Sequence, residues 1–193
     1  METSIVRLLE AEQLPYQIYC DMDGVLTDYE KRFVQLLRKE GHKYYSKDLI
    51  NQVTRPKHFA KLEGEDELEN FTDNHIGLEF WTGMDWMPNG RKLWNFIQPY
   101  GPIILTSPSK NNTSRLGKRL WIKDNLVPAP AVEFRFGEAK SDFANQKAIL
   151  IDDKPSNLEA FASKGGIALE VKDGEITSVI NKLKQYGYGG EFT

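Results

Sequence analysis

Three short apolar runs, each ending in acids or hydroxyls, constrain this chain more than anything else in it. PYQIYC (15–20) leads into Asp21-Met22-Asp23-Gly24, PIIL (102–105) into Thr106-Ser107-Pro108, and KAILI (147–151) into Asp152-Asp153-Lys154. Runs this short and this rich in β-branched or aromatic residues predict buried strands. AVEFRF (131–136) alternates like a strand with one wetter face, and GIALEV (166–171) makes a fifth.

Helical patterns fall between the strands. Asp28 is placed to cap a helix carrying Phe33, Leu36 and Leu37 and ended by Gly41. Residues 89–97, 113–126, 155–165 and 176–187 repeat apolar positions at helical spacing, the third of these opening on Pro155 and closing on glycine. A short amphipathic helix is expected over 4–12, with Ile5, Leu8 and Leu9 at helical spacing, and a frayed tail over 186–193. Strands alternating with helices imply an α/β fold, a Rossmann-like parallel sheet with helices on both faces. Residues 42–88 interrupt the rhythm with a charged run (61–70) and the bulky rings of Phe59, Phe71, Phe80, Trp81 and Trp86. Nearly fifty residues are too many for a plain loop. The expected organisation is therefore a core of 1–41 and 89–193 with an inserted helical cap at 42–88.

Composition narrows the function classes. The chain has 193 residues, 25 basic against 28 acidic side chains and a net charge of −3, which gives no electrostatic footprint for duplex nucleic acid. No apolar run reaches the length of a membrane span, and the first residues carry no apolar signal core, so a soluble, cytoplasmic domain is expected. One cysteine, Cys20, excludes an internal disulfide framework and a cysteine-rich zinc site; inside a strand it reads as a small buried hydrophobe.

In open α/β sheets ligands bind beyond the carboxyl ends of the strands, and here those ends carry four carboxylates and two hydroxyls. Crowded carboxylates repel one another and call for a countercharge; oxygen donors without histidine or cysteine favour Mg²⁺ over zinc. Gly24 lets the chain turn at once, so that Asp21 and Asp23 can both face one crevice, one as nucleophile and the other handling protons. An isolated acid after a strand is commonly only a turn former or helix cap, but the three strand ends together are not explained that way.

DMDGVLTD (21–28), ILTSPS (104–109), a lysine on the next helix and LIDDKPSN (150–157) resemble, in order, the four motifs of the haloacid dehalogenase-like phosphatases. The resemblance implies that Asp21 attacks phosphorus, that Asp23 serves as acid and then base, and that Thr106 and Ser107 bind the phosphoryl group. It also implies Mg²⁺ held by the Asp21 carboxylate, the Asp23 carbonyl and Asp152, with Asp153 in support. Lys118, three residues before Trp121, is similar to the K-x-x-W of the 5′(3′)-deoxyribonucleotidase branch and is the expected phosphate-binding lysine, with Lys110 and Lys147 as competitors. Tyr29, Phe80-Trp81 and WMPNG (86–90) resemble the same branch, which implies a substrate pocket containing Tyr29 and Trp81; both rings also read as ordinary packing. Asp153 and Ser107 likewise have a structural reading, as turn or support residues. The expectation is a Mg²⁺-dependent phosphomonoesterase for a small phosphate ester, a nucleoside monophosphate in particular, with a homodimer suggested by that branch. A sugar phosphate or polynucleotide end is the alternative substrate, and a phospho-accepting or non-catalytic module the alternative class.

Overall fold

The structure, a computed structural model, describes residues 16–189; the expected helix at 4–12 and the last residues of the tail lie outside them. Five strands, β1 (Gln17–Cys20), β2 (Ile103–Thr106), β3 (Val132–Phe134), β4 (Ala148–Asp152) and β5 (Ile167–Glu170), form one sheet in the order β3-β2-β1-β4-β5. Every pairing is parallel, with Cys20 opposite Ile104 on one side and Ile151 on the other. The winding runs from β1 through β2 to β3, then crosses back to β4 and β5, so right-handed connections leave on both faces of the sheet. This is the doubly wound α/β fold expected from the alternation. β4 is buried at all five positions, four of them the apolar run that a central parallel strand requires and the fifth Asp152.

The chain divides into two compact units. Among the described residues the sheet unit comprises 16–26, 87–107 and 130–189. Leu105, Ala148, Leu150, Leu158 and Phe161 form its buried cluster, flanked by Tyr19 and Phe143. Its helices are α6 (Gly90–Ile97), α8 (Pro155–Ser163) and α9 (Thr177–Gln185), and the 3₁₀ segment Gly137–Phe143 lies between β3 and β4. The strand pattern over 131–136 shortens to three residues: the ladder ends where Arg135 N–H bonds the Thr106 carbonyl, and Phe136 is exposed.

The other unit, residues 27–86 and 108–129, is helical. It holds α1 (Tyr29–Glu40), α2 (Lys47–Gln52), α3 (Pro56–Glu63), α4 (Glu65–His75), α5 (Leu78–Thr82) and α7 (Ser114–Asn125). It therefore takes in α1 and α7 as well as the segment from residue 42. The reason is aromatic packing: Phe33 on α1 meets Phe59 and Phe71 edge-on, at centroid distances of 6.0 and 5.7 Å. Asp28 caps α1 as expected, accepting from Lys31 N–H at 2.9 Å. Gly41 does not end the helix in a left-handed turn; its φ is −64° and the chain continues into a 3₁₀ turn. A Cβ there would stand 2.8 Å from Leu37 Cδ1, so a side chain at 41 would require the leucine to shift.

Candidate active site

β1 ends at the point where the winding of the sheet reverses, between β2 and β4. Asp21 N–H still bonds the Ile151 carbonyl at 2.8 Å, so Asp21 continues the ladder and stands beside Asp152, the last residue of β4. Beyond it the chain turns: Leu26 N–H bonds the Met22 carbonyl at 2.8 Å, with Gly24 at a φ of +79°. The turn has a second requirement. A Cβ on Gly24 would lie 2.4 Å from Asp153 Oδ2, so the missing side chain is the space that the Asp153 carboxylate occupies.

The carboxylates of Asp21, Asp152 and Asp153 each place an oxygen within 4.8 Å of the others. Asp23, half-buried, is outside that set. Lys140, from the 3₁₀ segment, is fully buried with its ammonium 2.9 Å from Asp21 Oδ1 and 2.6 Å from Asp152 Oδ2. Asp152 further accepts from Lys154 N–H at 2.9 Å and from the Asn157 amide, and Asp21 from Met22 N–H at 2.8 Å. One ammonium cannot offset three acids. Burial pulls the Lys140 ammonium down, but Asp21 and Asp152 outweigh it and hold its pKa above the ordinary lysine value. Burial and the neighbouring Asp21 charge push Asp152 up. Burial, Asp21 and Asp152 push Asp153 to about 7, and its Oδ1 is buried without a hydrogen-bond partner. A site of hard oxygen donors with excess negative charge and an orphaned carboxylate oxygen fits a divalent cation of the Mg²⁺ type.

The hydroxyl residues close the same unit. Thr106 is fully buried at the end of β2, and Ser107 Oγ accepts from Gly137 N–H at 3.1 Å, tying the end of β2 to the segment that carries Lys140. Lys118, Tyr29 and Trp81 belong to the helical unit and gather there. Tyr29 stacks on Trp81 at 6.0 Å, and the fully buried Lys118 holds its ammonium 5.5 Å from the Trp81 ring centroid. Gly117 permits this contact, since a Cβ would come within 2.3 Å of Trp81 Cβ. Trp81 is buried with Nε1 lacking a hydrogen-bond partner. Lys110 is on the surface, paired with Glu69, and Lys147 is exposed.

Lys140 is the member of this cluster that the sequence did not disclose. It lies in GEAKSDF (137–143), which shows neither strand alternation nor a helical stripe, and burial of its ammonium depends on two acids far away in the chain. Its one signal is position, between the hydroxyl motif after β2 and the acid pair after β4. Cys20 behaves as expected: it is fully buried, and burial pushes its thiol well above the ordinary range.

A parallel sheet of this order with acids clustered beyond β1 and β4 agrees with the haloacid dehalogenase-like motifs of the sequence. Solved structures agree on the fold. The chain is similar to a predicted phosphatase from Clostridium acetobutylicum at 14% identity and a TM-score of 0.58, covering 91% of this chain and 92% of that one. It is also similar to a haloacid dehalogenase-like family hydrolase from Streptococcus pneumoniae, at 17% identity and a TM-score of 0.53, covering 90% and 91%. A HAD-superfamily hydrolase from Geobacter sulfurreducens matches at 13% identity and a TM-score of 0.50, over 86% and 96%. Comparison with curated proteins gave no match. The model of the family described as 5′ nucleotidase, deoxy (pyrimidine), cytosolic type C protein matches residues 15–178, and the chain belongs to that family. It is accordingly a phosphoric monoester hydrolase. No helix among the described residues is long and apolar enough to cross a membrane.

Proposed function

We propose that this chain is a Mg²⁺-dependent, cytoplasmic 5′-nucleotidase that dephosphorylates (deoxy)ribonucleoside monophosphates through an aspartyl-phosphate on Asp21. The observation that carries the mechanism is the cluster of the buried Asp21 and Asp152 and the half-buried Asp153, with Lys140 between the first two. Family membership carries the substrate class. The cation would be held by the Asp21 and Asp152 carboxylates and the Asp23 carbonyl, with Asp153 in support. When bound, it supplies positive charge against the phosphoryl oxygens.

The remaining steps belong to the side chains. An Asp21 carboxylate oxygen attacks phosphorus, and the bond from phosphorus to the ester oxygen breaks. Asp23, as the acid, gives its proton to that oxygen, so the nucleoside leaves neutral. Asp23 then takes a proton from water as the water attacks the phosphorus. Inorganic phosphate leaves and the Asp21 carboxylate is regenerated. Thr106 and Ser107 hold phosphoryl oxygens by hydrogen bonds, while Lys140 and Lys118 offer fixed positive charge, the main requirement of phosphoryl transfer. Lys140, with its ammonium on the nucleophile, is the added member of that set. In the helical unit, Tyr29 and Trp81 offer aromatic faces to a base.

A panel of phosphate esters assayed with Mg²⁺ tests the substrate class. Deoxynucleoside monophosphates should turn over fastest; faster turnover of sugar phosphates would overturn the nucleotidase reading. Asp21→Asn and Asp23→Asn should each abolish turnover with the circular-dichroism spectrum unchanged, and full activity in the first would remove the covalent step.

A further inference from the structure

Asn157 is 1% exposed, on the first turn of α8, and its side chain makes no ordinary helix-start bond. Instead its amide nitrogen reaches back to Asp152, 3.1 Å from Oδ1 and 3.1 Å from Oδ2. The opposite end of the amide faces Gly137, where a Cβ would stand 3.9 Å from Asn157 Oδ1. The donor must face the acid, because the amide oxygen in its place would oppose two acceptors.

We infer that Asn157 is a positioning residue for the cation site, acting through the Asp152 carboxylate; this rests on the Mg²⁺ reading above. The terminal torsion of an aspartate is broad, so a carboxylate without fixed partners rotates. Three donors remove that freedom here: Lys140 on Oδ2 at 2.6 Å, Lys154 N–H on Oδ1 at 2.9 Å, and the Asn157 amide bridging both oxygens. Only Asn157 does so as a neutral side chain. It adds no charge against the incoming cation, as a lysine would, and no fourth acid to a site already overloaded with carboxylates. Its place on α8, together with the N–H bond from Lys154 just before that helix, makes the orientation of Asp152 a property of the helix start. Partners of this kind, which orient a metal-binding carboxylate without touching the metal, typically change metal affinity by about 10- to 100-fold when removed.

Calorimetric titration of the full chain with MgCl₂, without substrate, tests this. Asn157→Leu keeps the side chain's size and removes the donor, and Asn157→Ala and Asn157→Ser shorten it. Variants that fold, judged by circular dichroism, should bind Mg²⁺ about 10- to 100-fold more weakly than the unaltered chain. The Mg²⁺ concentration giving half-maximal activity should rise in parallel, while the substrate KM at saturating Mg²⁺ stays unchanged. A merely structural asparagine would lower the melting temperature and leave the Mg²⁺ Kd within twofold, which would overturn the inference. Absence of Mg²⁺ binding in the unaltered chain would overturn the metal reading itself, and this inference with it.

Discussion

Replacing Lys140 by Met removes the ammonium while keeping a flexible side chain of similar reach. The site then holds the buried Asp21 and Asp152 with no basic side chain bonded to either. At an effective dielectric of about 20, a unit charge pair near 3 Å interacts by about 6 kcal/mol, and Lys140 makes two such pairs, at 2.9 and 2.6 Å. Most of that attraction is offset by the cost of burying the ammonium. Breaking a buried ion pair by deleting one partner typically costs about 3–5 kcal/mol, because an uncompensated charge stays behind. For a chain of this size each kcal/mol moves the melting temperature by about 2–4 °C, so in chelator Lys140→Met should melt about 6–20 °C lower. Excess Mg²⁺ should recover much of the deficit, since a divalent cation supplies the missing charge to the same carboxylates. Turnover should not recover with it, and should remain at least about 10²- to 10³-fold down, the usual cost of losing one electrostatic contact to the reacting group. Urea and thermal unfolding with and without Mg²⁺, beside kcat at saturating Mg²⁺, read both effects. A variant within about 1 kcal/mol of the unaltered chain in chelator would refute the assignment of Lys140 as the countercharge of the two acids.

Gly24→Ala should destabilise the chain by about 1–3 kcal/mol and depress turnover, because the residue combines a φ of +79° with a Cβ position 2.4 Å from Asp153 Oδ2; chemical denaturation beside the phosphatase assay reads both. Trp81→Ala should cost about 3–5 kcal/mol in a denaturant melt through loss of a fully packed ring, and should raise the KM for nucleotides if the ring also meets the base. Tyr188 gives a pH dependence of known sign. Its hydroxyl donates to the Tyr16 carbonyl at 2.6 Å, and burial, then its neighbours Tyr16 and Tyr100, push its pKa up to about 12. The folded state thus favours the neutral phenol, and this contribution is complete below about pH 10 and lost as pH rises towards 12. Tyr188→Phe should therefore lose less stability across that interval than the unaltered chain, as read by melting temperature against pH.

Legibility in the sequence followed the range of the interactions. The central strands announce themselves because a parallel strand buried on both faces is largely apolar, as β4 is from Ala148 to Ile151, and the acids at the ends of β1 and β4 stand out against that background. The cap of α1 was equally plain, being a local bond from Lys31 N–H to Asp28. What the sequence hides is burial arranged at a distance. Lys140 looks like any surface lysine until the sheet order brings Asp21 and Asp152 together. The role of Gly24 in seating Asp153, and of Gly117 in admitting Trp81, are contacts across many residues. The grouping of α1 with the helical unit depends on Phe33 meeting rings contributed from 59 and 71. A helical spacing of Phe33 and Leu37 says that one face is buried, and leaves open against what.

The site also holds folding energy in an unfavourable form, and Asp153 is where this is concentrated. Its Oδ1 is buried without a partner, its Oδ2 fills the space left by Gly24, and its carboxylate lies near two others. Burial and the neighbouring acids outweigh the attraction of Lys154 and Lys140, so the ionised carboxylate is held at a cost that the proposed cation would offset. Asp153→Asn keeps the shape, removes one negative charge, and supplies an amide donor in a neighbourhood of acceptors. In chelator the variant should therefore be more stable than the unaltered chain, by about 0.5–2 kcal/mol, the size common for relief of strain at a functional site. Its gain from added Mg²⁺ should be smaller, and its turnover reduced, so the two stability curves should converge or cross as Mg²⁺ is raised. Thermal melts across a Mg²⁺ series measure the crossing directly. A variant less stable than the unaltered chain in chelator would mean that Asp153 is satisfied by the fold alone, and that the accumulation of charge at the ends of β1 and β4 is not what makes the site a cation site.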